Sequence, residues 1–146
     1  RLDFDSEGLL LLTNDGGIAR RLELPKTGWV RRYRVRMFGT PTEKEVELLA
    51  KGITVEGVKY GSIDAAIDSD KGRNAWVTVA LREGKNREIR KVFEHLGYPV
   101  NRLIRTAYGP FQLGKLGRGG VEEVPRRTLK DQLGLDTSNA HRGRQA

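Results

Sequence analysis

The sequence predicts an α+β domain built on a largely antiparallel mixed sheet with flanking helices. Three features of the chain point there. Segments alternating with period two recur at Val30 to Phe38, Ser62 to Asp68 and Ala75 to Leu81. Helical periodicity is clearest over Asn86 to Leu96, where Ile89, Val92, Phe93 and Leu96 follow i, i+3, i+4, i+7 spacing. Turn-forming clusters such as Asn14-Asp15-Gly16-Gly17 and Ser69-Asp70-Lys71-Gly72-Arg73-Asn74 separate the pieces. A chain of 146 residues suits one domain, and no internal repeat is visible.

In chain order, Leu9 to Leu12 followed by Thr13 is a leucine run bounded by Gly8 and Asn14, and reads as a buried central strand. Asn14 or Asp15 caps a short helix through Ile18 to Leu22, which ends before Pro25. In Val30 to Phe38, Tyr33, Val35 and Met37 share one face while Arg32, Arg34 and Arg36 share the other. Thr40-Pro41-Thr42-Glu43 reads as a capping box with Pro in the first helical position, opening a helix to Lys51 that Gly52 stops. Ile53 to Tyr60 turns at Gly57, and the strands Ser62 to Asp68 and Ala75 to Leu81 follow. Gly97 caps the Asn86 helix. Val100 to Tyr108 is a further strand closed by Gly109-Pro110, and Thr128 to Leu133 is a short helix. From Asp136 the chain is polar and basic without apolar period, so residues 135–146 are expected to form a flexible basic tail.

Composition narrows the chemistry. The 27 Lys+Arg against 19 Asp+Glu leave a net charge of +8, which points to a polyanionic partner. No apolar run approaches the roughly 18–20 residues needed to cross a bilayer, so no membrane partner is expected. There is no cysteine, which excludes disulfides and thiolate metal sites and fits a reducing, cytoplasmic setting. His95 and His141 are the only histidines and form no ligand-like cluster, so no metal is expected.

Three groups of residues can carry chemistry. Arg87, Arg90 and Lys91 share a helix face, which reads either as a solvated surface with Arg90 paired to Glu94 or as an anion site beside the Glu83-Gly84-Lys85-Asn86 lead-in. Arg31, Arg32, Arg34 and Arg36 surround Tyr33, which is either a core tyrosine or a platform for a nucleobase. Asp3 and Asp5 read as turn residues or as a carboxylate pair of the glycosidase kind.

Taken in order, these pieces resemble a known family. Arg1-Leu2-Asp3-Phe4-Asp5-Ser6-Glu7-Gly8, followed by the leucine run and Thr13-Asn14-Asp15-Gly16, resembles the catalytic motif of RNA pseudouridine synthases of the RsuA/RluB type. Arg32-Tyr33-Arg34-Val35 resembles their tyrosine motif and Glu83 to Lys91 their third motif. Val100 to Arg105 with Gly109-Pro110 and Leu113 resembles their C-terminal motif. Ser6-Glu7 departs from the hydroxyl pair often found at that point.

The resemblance implies the pseudouridine synthase fold, with residues 1–134 as catalytic domain. It implies isomerisation of a uridine, most like the RluB branch and hence in 23S ribosomal RNA, by a monomer needing no cofactor. Asp3 is then the catalytic carboxylate, and Tyr33 packs on the target base with Leu103 on its other side. Arg90 pairs with the carboxylate, and Arg1 and Arg105 lie near phosphates. A 16S ribosomal RNA target, a non-catalytic RNA-binding module and a glycosidase stand as alternatives. Arg in place of Met at position 1 suggests that a longer protein precedes it, where this family carries a strand and a small S4-type RNA-binding domain.

Overall fold

A computed structural model of the chain describes residues 2–24, 28–70 and 72–134. Arg1 and the expected tail at 135–146 lie outside the described residues. The chain divides into two compact units, Arg1–Leu113 and Gly114–Ala146.

Among its described residues the first unit is a mixed sheet with three helices. Its elements are β1 (Glu7–Gly8), α1 (Gly16–Glu23), β2 (Arg31–Phe38), α2 (Glu43–Lys51), β3 (Ile53–Val55), β4 (Val58–Tyr60), β5 (Ile63–Ser69), β6 (Asn74–Leu81), α3 (Glu88–His95), β7 (Val100–Tyr108) and β8 (Phe111–Gln112). The main sheet runs β1-β7-β2-β6-β5, with β8 returning against β7. Every pairing in it is antiparallel except β1 with β7. The α+β reading therefore holds, and β3 and β4 form the separate hairpin expected around Gly57. Among the described residues no helix is long and apolar enough to cross a membrane.

One face of the sheet carries the core. Val35 and Met37 of β2, Val77 and Val79 of β6, and Leu103 of β7 pack with Ile89, Val92 and Phe93 of α3 and Leu49 of α2. Tyr33 packs against the edge of this cluster. The alternation predicted for β2 is realised, with Val35 and Met37 buried and Arg32 and Arg34 exposed.

Two local expectations need correction, and one element was not expected. The leucine run is not a central strand: β1 ends at Gly8 and lies at the sheet edge, and only Leu9 is buried, its N–H donating to Arg105 O at 2.8 Å. Leu12 is 83% exposed, because an edge strand paired on one side supplies no second layer for the residues beyond it. The cap of α2 is Thr42 rather than Thr40. Its hydroxyl accepts from Glu45 N, and the Glu45 carboxylate accepts from Thr42 N, so Pro41 precedes the helix. Lastly, β8 was not foreseen; two residues are too few to display a period.

Gly8 is demanded by packing. A Cβ there would stand 2.2 Å from Arg105 O, and its φ of +107° is unavailable to other residues at low cost. This close approach docks the chain after Asp3 onto β7.

The second unit has a single helix among its described residues, α4 (Arg126–Leu133), with Leu133 buried and Gly134 in the left-handed conformation at its end. It begins two residues earlier than the segment expected from Thr128.

Candidate active site

The row of strand partners Gly8, Arg105 and Tyr33 lines up β1, β7 and β2. At about 4.8 Å per strand, two spacings separate the outer members. The register slips between Arg32 and Tyr33, an irregularity that re-aims side chains locally. Ahead of Gly8, Ser6 N donates to Asp3 O at 3.0 Å and closes a tight turn through Phe4 and Asp5.

Two arginines from the start of α3 meet this turn. Arg87 Nη1 and Nη2 donate to the two carboxylate oxygens of Asp5 at 3.0 and 2.9 Å, a forked pair. Arg87 Nη1 also lies 3.9 Å from Asp3 Oδ2, within ion-pair but not hydrogen-bond distance. Arg90 Nη2 donates to the Asp5 carbonyl at 2.7 Å, Arg90 Nε lies 3.5 Å from its carboxylate, and Arg90 Nη1 donates to Val100 O at 3.4 Å. The Asp3 side chain keeps 27% of its surface exposed, so a substrate can reach it.

The hydrogen bonds from Arg87, reinforced by the charges of Arg90 and Arg87, outweigh desolvation and hold the Asp5 carboxyl below its ordinary range. Asp5 is thus a fixed anion held by two arginines, one of which, Arg87, also lies beside Asp3. Arg87 itself has φ +50° and ψ +35°, a left-handed conformation at the residue preceding α3. Such a conformation costs a non-glycine residue about 1–2 kcal/mol, and strain of this kind concentrates at functional sites.

Tyr33 lies on the core face of β2, partly buried. Burial pushes its hydroxyl above the ordinary tyrosine range, while the charge of Arg105 and a hydrogen bond with it pull the other way. Arg105 is 4% exposed, donates from Nε to Leu9 O at 2.9 Å, and lies 5.2 Å from the centroid of the Tyr108 ring.

The structure brings the Asp3–Asp5 turn and the start of α3 together, with some partners other than those expected. Arg90 is only 8% exposed and turns to Asp5, so neither the Asp3 pairing nor a solvated Arg90–Glu94 pair describes its contacts; α3 leans that face onto the turn. Arg87 is the cation beside Asp3, and Asp5 is the hub. Spacing alone made both visible as neighbours, but no pattern says which arginine crosses to which carboxylate. Leu103 is buried in the core opposite Val35. Arg105 faces protein groups instead of an open phosphate surface, and Arg1 lies outside the described residues.

The fold and this acidic turn belong to a defined class. The pattern of the family described as RNA pseudouridylate synthase matches residues 1–95, and the chain belongs to that family. An uncharacterized RNA pseudouridine synthase of Rickettsia bellii is 44% identical over 130 residues, covering 89% of this chain and 56% of that protein. The ribosomal large subunit pseudouridine synthase B of Pasteurella multocida is 43% identical over 125 residues, covering 85% of this chain and 36% of its own length. A crystal structure of a pseudouridylate synthase superposes with a TM-score of 0.81 at 26% identity, over 90% of this chain and 56% of the other. The chain thus spans between about a third and just over half the length of the curated relatives it matches.

Proposed function

We propose that residues 1–134 form the catalytic domain of an RNA pseudouridine synthase that isomerises a uridine of 23S ribosomal RNA in the cytoplasm. The observation that carries this reading is the accessible Asp3 carboxylate, held beside Arg87 by a turn whose neighbouring acid is already neutralised. The large-subunit target rests on relatives such as the Pasteurella multocida protein. The charge of +8 suits an RNA partner.

In this reading a flipped uridine reaches Asp3, which attacks the ribose or deprotonates it after the glycosidic bond breaks. Tyr33 stacks on the base, Leu103 forms the apolar floor behind it, and Arg90 fixes the turn through the Asp5 carbonyl. Arg105 acts by holding the Tyr33 hydroxyl. Flipping a base costs a few kcal/mol; stacking on Tyr33, at about 1–3 kcal/mol, offsets much of it. No cofactor enters the scheme, and one copy of the chain suffices for it.

The glycosidase alternative is weakened by Asp5. A second carboxyl group must donate or relay a proton, and Asp5 is an anion locked by two arginines. A non-catalytic RNA-binding module needs no Asp3. The deciding experiment is Asp3→Asn, with pseudouridine in ribosomal RNA mapped in cells carrying each form. Loss of one 23S pseudouridine is expected. Modification continuing at the normal rate overturns the catalytic reading, and a lost 16S pseudouridine instead overturns the target.

A further inference from the structure

The turn that delivers Arg87 to Asp3 and Asp5 is closed by an acid. Glu88 Oε1 accepts from Lys85 N at 3.1 Å, and Glu88 N donates back to Lys85 O at 3.2 Å. Asn86 and the left-handed Arg87 lie between these two bonds. Glu88 is 3% exposed, and its Oε2 is buried with no donor among the described residues. A buried carboxylate left this way is costly.

Glu83 and Glu88 both close on Lys85, Glu83 through its Nζ and Glu88 through its backbone N–H, and the Glu83 carboxyl acts on that of Glu88. Two ionised carboxylates only accept, so a hydrogen bond between them requires a proton on one. Glu83 is the better anchored anion. Its Oε1 accepts from Gly61 N at 2.7 Å and its Oε2 from Lys85 Nζ at 2.8 Å, while Lys85 Nζ also donates to Lys59 O at 2.7 Å. Glu88 has one backbone donor and an orphaned oxygen, so the proton belongs on Glu88.

We propose that Glu88 is held protonated against the Glu83 carboxylate, and that this bridge is the positioning device that keeps the Lys85–Glu88 turn, and so Arg87, aimed at Asp3 and Asp5. Neither acid touches the reacting atoms. The catalytic half of this inference rests on the reading of Asp3 above; the bridge itself does not.

The titration directions agree. Burial, and then the hydrogen bond and charge of Glu83, push the Glu88 carboxyl up to about 8 from its usual 4.5. Burial also pushes Glu83 up, but its bonds to Lys85 and Gly61 outweigh that and hold it below the ordinary range. Glu83 and Lys85 are the charged groups acting on Glu88. Lys85 also lies 5.7 Å from the centroid of the Tyr60 ring of β4. β3 brings no titratable side chain, Arg87 and Arg90 on the same helix are turned to Asp5, and Arg105 of β7 is turned to Leu9 and Tyr33. With its folded pKa raised, Glu88 contributes stability that is fully present below the usual 4.5 and lost as pH rises through about 8. Above that point two adjacent anions repel and the turn loosens.

The test follows the full chain from pH 3 to 10 by two independent readouts. Carbon NMR of the Glu88 carboxyl is expected to titrate near 8, with the Arg87 guanidinium resonance moving at the same midpoint. A midpoint near 4.5 overturns the bridge. Turnover on a ribosomal RNA fragment is expected to fall about tenfold per pH unit above the Glu88 midpoint, as for any group active only when protonated. Glu88→Gln, whose amide donates to Glu83 without titrating, is expected to flatten that fall, whereas Glu88→Ala lowers turnover across the range. Parallel profiles for wild type and Glu88→Gln overturn the positioning role. Absence of pseudouridine at every pH defeats the catalytic reading instead, and the carboxyl titration still decides whether the bridge exists.

Discussion

Arg102 and Arg105 stand three residues apart on β7, and the odd spacing sends them to opposite faces of the sheet. Arg102 is exposed. It grips Glu7 through two hydrogen bonds at 2.9 and 3.0 Å and lies 6.0 Å from the centroid of the Trp76 ring, among Arg34 and Arg36. Arg105 is buried, bonded to a backbone carbonyl, and sets the surroundings of Tyr33. The outer face therefore holds a dense arginine cluster around one tryptophan, whereas the site side uses a few arginines, each with a defined partner. Charge density in the sequence marks the outer face; arginines with fixed acidic or carbonyl partners mark the candidate site.

The two faces should respond differently to mutation. The largest loss of stability is expected for Arg90→Ala, because the Val100 carbonyl loses its donor in a buried place and the Asp5 carbonyl in a half-buried one. Losses of about 2–4 kcal/mol fit two such groups, and urea unfolding measures them; an unchanged midpoint breaks the contrast between the faces. Tyr33→Ala is expected next, lowering turnover by about tenfold to a hundredfold, the equivalent of one stacked base, with a smaller change in RNA affinity. Equal turnover for the variant removes Tyr33 from the site. The smallest effect is expected for Arg34→Ala on the outer face. Its contact with Asp68 is 3.8 Å long and half-exposed, so stability should move by no more than about 0.5 kcal/mol. A larger shift in the same unfolding experiment shows that the Trp76 cluster braces the sheet.

Much of this was readable beforehand, for physical reasons that differ by element. The β2 alternation and the α3 stripe were legible because burial on one face imposes a period, and Val35, Met37, Ile89, Val92 and Phe93 obey it. The leucine run misled because hydrophobicity reports the wish to be buried, and an edge position did not grant it to Leu10 and Leu12. The α2 cap was misplaced by two residues because Thr40 and Thr42 each precede a glutamate at the right spacing, and only the folded turn selects between them. At the candidate site, Asp3 and Tyr33 stand out in the sequence through ordered motifs. The roles of Asp5, Arg87 and Glu88 do not, since each depends on contacts between residues far apart in the chain, such as the 82 positions between Asp5 and Arg87.

By itself, then, the sequence determined the longer strands and helices, the core faces of β2 and α3, the basic character of the chain and the candidate carboxylate, all of which follow from local periodicity and residue chemistry. Tertiary structure alone decided which arginine meets which acid and which of two neighbouring glutamates keeps a proton. Those outcomes depend on burial and on distances across the sheet. Charge and hydrogen-bond energies change steeply with both, and neither is written in residue order.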